Sequence, residues 1–136
     1  MYSNWEIVKC AWGIVVNNNH VALIRMTRVE WWSFPKWLIE ENETSLEAWA
    51  REIYEETGLK DISLVRELDI LSRPGADGSP VLLDIYMYLF NSNQENIKPI
   101  DTYVPEAKWI HIDEVENYLT LTEEKKYFHS IKKLIQ

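Results

Sequence analysis

Residues 37–59 read WLIEENETSLEAWAREIYEETGL, a glutamate-rich stretch that carries both a start signal and a stop signal for a helix. Thr44 followed three residues later by Glu47 is a capping-box pattern, which predicts that the helix begins directly after Thr44. Gly58 offers the left-handed conformation that commonly follows a helix, so we expect the helix to end near Thr57. The rest of the fold is organised around this helix.

Two faces of the predicted helix differ in chemistry. Glu52, Glu55 and Glu56 share one face at about 100° per residue. A neighbouring apolar stripe, which we expect to pack inward, consists of Leu46, Trp49, Ala50 and Ile53. Crowded carboxylates repel each other, and a hard divalent cation with oxygen ligands would relieve that repulsion. On spacing alone, a solvated acidic surface explains the same pattern.

The order of residues in this stretch resembles the Nudix box, G-x5-E-x7-R-E-U-x-E-E-x-G-U, in which U is an aliphatic residue. Glu43, a spacer of seven residues, and then REIYEETGL from Arg51 to Leu59 match every specified position after the first. Trp37 stands where the box opens with glycine. A long, gapped pattern of this kind is far more specific than a short glycine motif.

The resemblance implies a metal site. Glu52, Glu55 and Glu56 are then the ligands of Mg²⁺ or Mn²⁺ and the catalytic carboxylates, with Glu56 at the centre. One of these groups, or a carboxylate from a neighbouring loop, would be the general base. Glu40 matches a frequent acidic position before the helix, and Glu106 matches a position that is sometimes acidic and catalytic.

Structural roles follow for three further residues of the box. Arg51 and Glu43 are expected to form an ion pair that ties the loop to the helix. Arg51 is also one turn from both Glu47 and Glu55. Gly58 ends the helix.

Substrate contacts are carried by weaker signals. Lys36 directly follows a proline, which resembles the Pro-Lys-Gly variant of the diadenosine and diphosphoinositol polyphosphate branches and of RNA 5′-pyrophosphohydrolases. Lys36, Arg25 and Arg28 are therefore candidates for contacting phosphate, and a surface role is the alternative for each. Trp37 and Tyr86 could stack on a base, as aromatic residues do elsewhere, and packing is the alternative.

The remaining pattern predicts strands on both sides of the central helix. Residues 6–16 and 20–26 flank an asparagine turn and predict a hairpin, whereas residues 27–34 and 73–80 predict a loop and a turn. Further predicted strands cover residues 62–71, 81–90 and 107–112. Both faces of the strand at 81–90 are apolar enough to be covered.

Two helices are predicted near the end of the chain. Asp113 is a plausible N-cap for a short helix that ends near Leu119. A final helix begins near Thr122, and its apolar stripe consists of Tyr127, Phe128, Ile131, Leu134 and Ile135. These elements predict an α+β fold, and the resemblance sharpens it to an α/β/α sandwich with a mixed sheet between helices. We expect one such domain over residues 1–136.

Composition narrows the class of protein. The net charge of −8 argues against non-specific nucleic-acid binding, which needs a basic surface. The single cysteine, Cys10, allows no disulfide framework, and a small buried thiol is the default. The first residues lack the long apolar run of a signal peptide and no run approaches a membrane span, so we expect a cytoplasmic protein without a membrane partner.

Two functional hypotheses follow. The first is a metal-dependent pyrophosphohydrolase that cleaves a phosphoanhydride bond in a nucleoside diphosphate derivative, with a dinucleoside polyphosphate or a nucleoside triphosphate among the substrates. The second is a non-catalytic Nudix-like domain that binds a nucleotide or a protein and regulates something else. The complete segment that begins at Arg51 favours the first hypothesis, and Trp37 favours the second. Family members are often dimers, so the resemblance also implies a homodimer.

Overall fold

A computed structural model describes residues 6–26, 31–39, 44–75 and 80–135. Eight strands and three helices follow one another within these residues. In chain order they are β1 Glu6–Asn17, β2 His20–Arg25, β3 Trp32–Ser33, β4 Lys36–Leu38, α1 Ser45–Thr57, β5 Ile62–Glu67, β6 Leu71–Pro74, β7 Val81–Ser92, β8 Glu106–His111, α2 Val115–Tyr118 and α3 Thr122–Ile135. The strands form one mixed sheet, which confirms the predicted α+β fold class.

Strand β1 is the centre of the sheet. Its whole length pairs in parallel with β7, from Glu6 opposite Val81 to Val16 opposite Asn91. On its other side β1 pairs antiparallel with β2 and with β4. Strands β3 and β8 extend the sheet from β2, and β5 and β6 both pair with β7.

Helices cover both faces of β1, because alternate residues of a strand point to opposite sides. Trp12 and Ile14 belong to a cluster with residues of α2 and α3, including Phe128. Ala11 and Val15 belong to a second cluster with Ile53 of α1 and residues of β7. The central run of β1 is therefore buried on both sides, as in the interior strands of α/β proteins.

Two asparagines close the predicted hairpin. Asn18 and Asn19 have φ values of 46° and 65°, which asparagine tolerates better than most residues, and the strands on either side pair antiparallel. The Asn19 carbonyl also accepts a hydrogen bond from the Ile112 N–H at 2.8 Å, which ties the turn to the end of β8.

Helix α1 has the predicted bounds, but its buried face is displaced from the predicted stripe. Ala50 is exposed, whereas Ala48, Ile53 and Glu56 are buried. Trp49 is half-buried with its ring 4.9 Å from that of Phe90. The side chain of Leu46 lies outside the described residues. The centre of the buried face thus falls between the apolar stripe and the acidic face, and Glu56 is drawn into the interior.

Four predictions for the connections between elements were wrong in detail. The segment predicted as a loop over residues 27–34 contains β3, which pairs with β2. The strand predicted over residues 62–71 is two strands, since residues 68–70 belong to neither β5 nor β6 and the Tyr127 hydroxyl donates to the Asp69 carbonyl at 2.6 Å. The predicted turn at 73–80 begins later, since β6 continues to Pro74, which an edge strand tolerates. The fourth concerns the N-cap of α2.

Asp113 is not that N-cap, because the position belongs to Glu114, whose side chain makes no capping hydrogen bond. The carboxylate of Asp113 lies 3.6 Å from both His111 Nδ1 and Lys132 Nζ instead. In α3, Leu134 lies at the margin of the buried face and is 54% exposed, so its place in the predicted stripe was also wrong.

The end of α1 is shaped by Gly58. Its φ is +76°, and its N–H donates to the Tyr54 carbonyl at 2.7 Å. An added Cβ would lie 2.3 Å from the Lys98 carbonyl oxygen, so the residue has neither the conformation nor the space for a side chain. The predicted helix stop is confirmed, and a close backbone contact adds a second reason for glycine.

Gly58→Ala is expected to lower the free energy of unfolding by about 2 kcal/mol or more, because the left-handed conformation and the contact with Lys98 both oppose a methyl group. Chemical denaturation followed by circular dichroism measures the change. Ser63→Ala, at an exposed position of β5, is the control and should stay within about 0.5 kcal/mol of wild type. Equal stability of the Gly58 variant and wild type would show that the loop at Lys98 does not dock as described.

Candidate active site

Helix α1 brings the three predicted carboxylates to one side of the sheet. The side chains of Glu52 and Glu55 are 25% and 36% exposed, whereas Glu56 as a residue is 6% exposed. Two of the carboxylates therefore reach solvent, and the third is enclosed by the protein.

Glu56 connects the helix to strand β4. The backbone N–H of Lys36 donates to Glu56 Oε1 at 3.1 Å. Burial raises the pKa of Glu56 to about 8, and the charges of Glu52 and Asp101 add to this increase, whereas the Lys36 N–H and ammonium oppose it. Without a bound cation the carboxyl group therefore retains its proton near neutral pH, and a cation beside it would displace that proton.

Arg51 holds the two outer carboxylates. Its Nη1 lies 2.9 Å from Glu52 Oε1 and 3.5 Å from Glu55 Oε1. Burial and then the charges of Glu55 and Asp101 raise the pKa of Glu52, and Arg51 counteracts this effect. The predicted contact between Arg51 and Glu55 is present, whereas the predicted partner Glu43 and the side chain of Glu47 lie outside the described residues.

Asp101 is a fourth carboxylate near these groups that the sequence did not single out. Its N–H and the N–H of Ile100 both donate to the Glu55 carbonyl, at 2.8 and 2.9 Å, and the Lys98 N–H donates to the Thr57 carbonyl at 2.8 Å. These bonds satisfy carbonyls that a helix end leaves without partners. The docked segment thereby brings the charge of Asp101 close enough to raise the pKa of Glu52 and Glu56.

The donor set has the chemistry that a hard divalent cation prefers, because every group is a carboxylate and Glu56 is buried without a short ion pair to any residue that the structure describes. In the part of the chain that the structure describes, no three side chains of histidine, cysteine, aspartate or glutamate already converge as a metal cage. Glu40, the predicted additional ligand, lies outside that part. The groups fit a cation by charge and type, and binding requires them to draw together.

A cavity of about 500 Å³ adjoins Glu52. Its walls include Glu52 and Arg51 of α1, Lys36 and Trp37 of β4, and Trp12 of β1. Arg73 of β6 is a further lining residue that the sequence analysis missed. Its place in a predicted turn gave no sign that β6 would carry it to the same cavity.

Trp37 occupies an extended strand position rather than a tight turn. It pairs with Ala11 in the β1–β4 ladder, and it is not among the described residues with positive φ. Its ring is buried and stacked with that of Tyr88, with centroids 6.5 Å apart and planes inclined by 18°. Tryptophan at this position therefore causes no backbone strain, and its side chain fills space under α1 and along the cavity wall.

Three of the weaker predictions have different surroundings. Arg25 and Glu106 form an ion pair at 3.2 Å across β2 and β8, and Lys108 lies 3.1 Å from Glu106. Hydrogen bonds from these two cations lower the pKa of Glu106. Tyr86 lines a separate groove of about 470 Å³ beside residues 67–70. The structure describes no contact between these residues and the carboxylates of α1, and Arg28 lies outside the described residues.

A buried charge pair lies behind the cavity. Arg73 Nη2 is 3.5 Å from Glu124 Oε2, and the Ser33 hydroxyl donates to Glu124 Oε1 at 3.1 Å. Burial raises the pKa of Glu124 to about 7, although Arg73 and Ser33 both oppose the increase. Helix α3 is thus linked to β3 and β6 through a carboxyl group that is expensive to ionise.

Comparison with known proteins identifies the family. The NUDIX domain model matches residues 9–131. An RNA pyrophosphohydrolase of Bartonella bacilliformis is 46% identical over 37 residues, which are 27% of this chain and 22% of that protein. The chain therefore aligns with only about a fifth of the length of that curated relative.

Two solved structures share the fold. A NUDIX-family hydrolase from Clostridium perfringens superimposes with a TM-score of 0.75 at 18% identity, covering 94% of this chain and 97% of that one. An Ap4A hydrolase of C. elegans gives a TM-score of 0.73 at 15% identity, covering 93% and 96%. The chain belongs to the NUDIX family. Nudix hydrolases generally use divalent metal ions. No helix within the described ranges is long and apolar enough to cross a membrane.

The stability of the metal-free protein is expected to fall as pH rises from about 5 to 7, in part because of Glu124. Its pKa is about 7 in the folded state and near 4.5 when unfolded, so the folded chain holds a proton that the unfolded chain has lost across this interval. Glutamine at position 124 has no proton to lose, so the Tm of Glu124→Gln should depend less on pH in this interval. Thermal melts between pH 5 and pH 8 with a chelator present measure this.

The control is Glu95→Gln, an exposed carboxylate outside α3, which should keep the wild-type dependence. Above pH 7 both variants should continue to lose stability, because Glu56 ionises there. Identical pH profiles for Glu124→Gln and wild type would contradict the raised pKa of Glu124.

Proposed function

We propose that this protein is a metal-dependent pyrophosphohydrolase that uses Mg²⁺ or Mn²⁺ to cleave a phosphoanhydride bond in a nucleoside diphosphate derivative. The observation that carries the proposal is the buried, proton-retaining Glu56 close to the charges of Glu52 and Asp101, with Glu52 in the wall of a cavity. A single domain over residues 1–136 performs the reaction on a small nucleotide or polyphosphate substrate.

The reaction requires charge neutralisation before attack. Water adds to one phosphorus of the anhydride, the bond from that phosphorus to the bridging oxygen breaks, and the bridging oxygen leaves with the other phosphate. The proton of the water passes to a carboxylate. A bound divalent cation would neutralise the phosphate charge and lower the pKa of the attacking water.

The carboxylates differ in burial, and this difference suggests a different role for each. Glu56, enclosed and bonded to the Lys36 N–H, is suited to hold a cation in a fixed position. Glu52 and Glu55 reach solvent, and Arg51 orients both. Asp101 joins Glu52 and Glu55 as a candidate general base, because it approaches from a different segment and has no part in the ion pairs of Arg51.

A non-catalytic binding domain is the second candidate, and two observations favour it. Trp37 replaces the glycine that opens the box, and the described carboxylates do not already form a metal cage. Such a domain would bind a nucleotide in the cavity without cleaving it. Metal-dependent turnover separates the two functions.

The proposal is tested by measuring phosphate products from a panel of nucleotide derivatives with Mg²⁺, with Mn²⁺ and with a chelator. We expect cleavage of at least one substrate class that requires metal and falls at least 100-fold in Glu56→Gln. Gln mimics the protonated carboxyl that the metal-free protein already holds, so this variant should fold normally. Its metal-induced rise in Tm should disappear.

Glu67→Gln, an exposed carboxylate on β5, is the matched control and should retain wild-type turnover and metal response. Turnover that persists in Glu56→Gln would place the metal elsewhere. Nucleotide binding without any turnover, in a protein that still responds to metal, would establish the binding domain instead.

Asp101→Asn is expected to lower kcat by about 10- to 100-fold while leaving the metal-induced rise in Tm in place, because it removes a proton acceptor and keeps the backbone bonds to α1. Steady-state kinetics across pH 6 to 9 measure the loss. An unchanged kcat would exclude Asp101 as the base and leave Glu52 and Glu55.

A further inference from the structure

The side chains that line the cavity beside α1 include three cations and one carboxylate. Lys36, Arg51 and Arg73 all line it, together with Glu52. The Lys36 Nζ and the Arg73 Cζ lie 5.7 and 5.6 Å from the centre of the same ring, that of Trp12. Two cations held at one aromatic ring repel each other, and an anion between them would reverse that repulsion.

Lys36 and Arg73 are also incompletely paired. Among the ion pairs of the described chain, Lys36 Nζ has no carboxylate partner, and Arg73 has one long contact of 3.5 Å to Glu124. The Arg73 Nη1 donates to the Pro74 carbonyl, and Nε has no acceptor among the described residues. A ligand with several anionic oxygens would balance the charges of Lys36 and Arg73.

Three enclosed hydrogen-bond donors belong to side chains that line this cavity. Trp12 Nε1, Trp37 Nε1 and Arg73 Nε are buried without a hydrogen-bond acceptor, and they account for all such side-chain atoms in the ranges described. Each parent residue is more than nine-tenths buried and lines the cavity. All three atoms are enclosed, so a ligand in the cavity would reach them only if these side chains turned, and the preference for an acceptor-rich anion comes from the charges of Lys36 and Arg73.

The cavity is continuous with the candidate metal site, because Glu52 and Arg51 lie in its wall. A substrate with its scissile phosphates at Glu52 therefore extends past Lys36 toward Arg73. The group that follows the anhydride meets the cations Lys36 and Arg73. In a nucleotide sugar that group is neutral, whereas in a longer polyphosphate it is another phosphate.

We propose that the cavity between Lys36, Trp12 and Arg73 binds a phosphate beyond the two of the scissile anhydride, so that substrates carry three or more phosphates in a row. This inference rests on the proposed function, since it adds a substrate class to the same hydrolytic site. Nucleoside triphosphates, dinucleoside polyphosphates and RNA 5′-triphosphates share this chemistry.

The experiment compares kcat/KM for ATP and Ap4A with kcat/KM for ADP-ribose, which has only two phosphates, at saturating Mg²⁺. We expect wild type to prefer the longer chains at least 100-fold. Lys36→Gln should lower kcat/KM at least tenfold more for ATP and Ap4A than for ADP-ribose. Lys108→Gln, which removes an exposed cation on β8, is the control and should change none of these values.

The role of Arg73 is tested in a double variant, because replacing Arg73 alone would leave the Glu124 carboxyl group buried without its cation partner. The double variant Arg73→Gln with Glu124→Gln keeps the interior neutral and should show the same selective loss. Preference for ADP-ribose, or an equal loss on both kinds of substrate, would overturn the inference while leaving the proposed function standing.

A binding measurement keeps the inference testable if no substrate is cleaved. Tripolyphosphate with Mg²⁺ should raise the Tm of wild type more than pyrophosphate does, and Lys36→Gln should abolish the difference. Such a result without turnover would support the third-phosphate subsite and reject the proposed hydrolysis. Equal shifts for the two anions would reject the subsite, whatever the turnover. Separate arms with ATP, Ap4A and a short 5′-triphosphate RNA identify which polyphosphate is used.

Discussion

The enclosure of Glu56 is the constraint on which the arrangement of the site depends. Burying a carboxyl group is unfavourable unless it keeps its proton or acquires a cation, and the Lys36 N–H compensates only part of the cost. That single hydrogen bond nevertheless joins α1 to β4, and β4 is a wall of the cavity. The protein gives up some stability at this carboxyl group, and in return it has a position where a metal ion would bind in competition only with a proton.

Helix α1 is held at both its side and its end. Its apolar residues pack on the odd-numbered face of β1, and its last carbonyls accept N–H groups from the segment that carries Asp101. Gly58 makes the second contact possible, because no side chain separates the helix end from the Lys98 carbonyl. The same backbone bonds that complete the helix therefore also place a carboxylate from a distant segment beside the helix carboxylates.

Local patterns predicted the parts of the structure that local forces decide. The capping box and Gly58 gave both ends of α1, and the asparagines gave the hairpin, because each signal acts within a few residues. The rotation of α1 that buries Glu56 could not be predicted, since it depends on how the sheet packs beneath the helix. Asp101 and Arg73 were missed for a related reason. Neither carries a local mark, and strand pairing or backbone docking alone brings them to the site.

The parallel pairing of β1 with β7 has a consequence for how the site comes into being. Residues 6–16 and 81–91 form one continuous ladder, and the helix with the glutamates lies in the chain between them. Contacts of such long sequence separation form late and slowly during folding. A nascent chain that has just completed the glutamate helix has neither β7 to support β1 nor the 98–101 segment to cap α1. During synthesis, the glutamate motif is therefore complete before the contacts that arrange its side chains into a site. A fragment that contains the motif alone would have the metal ligands but not their arrangement.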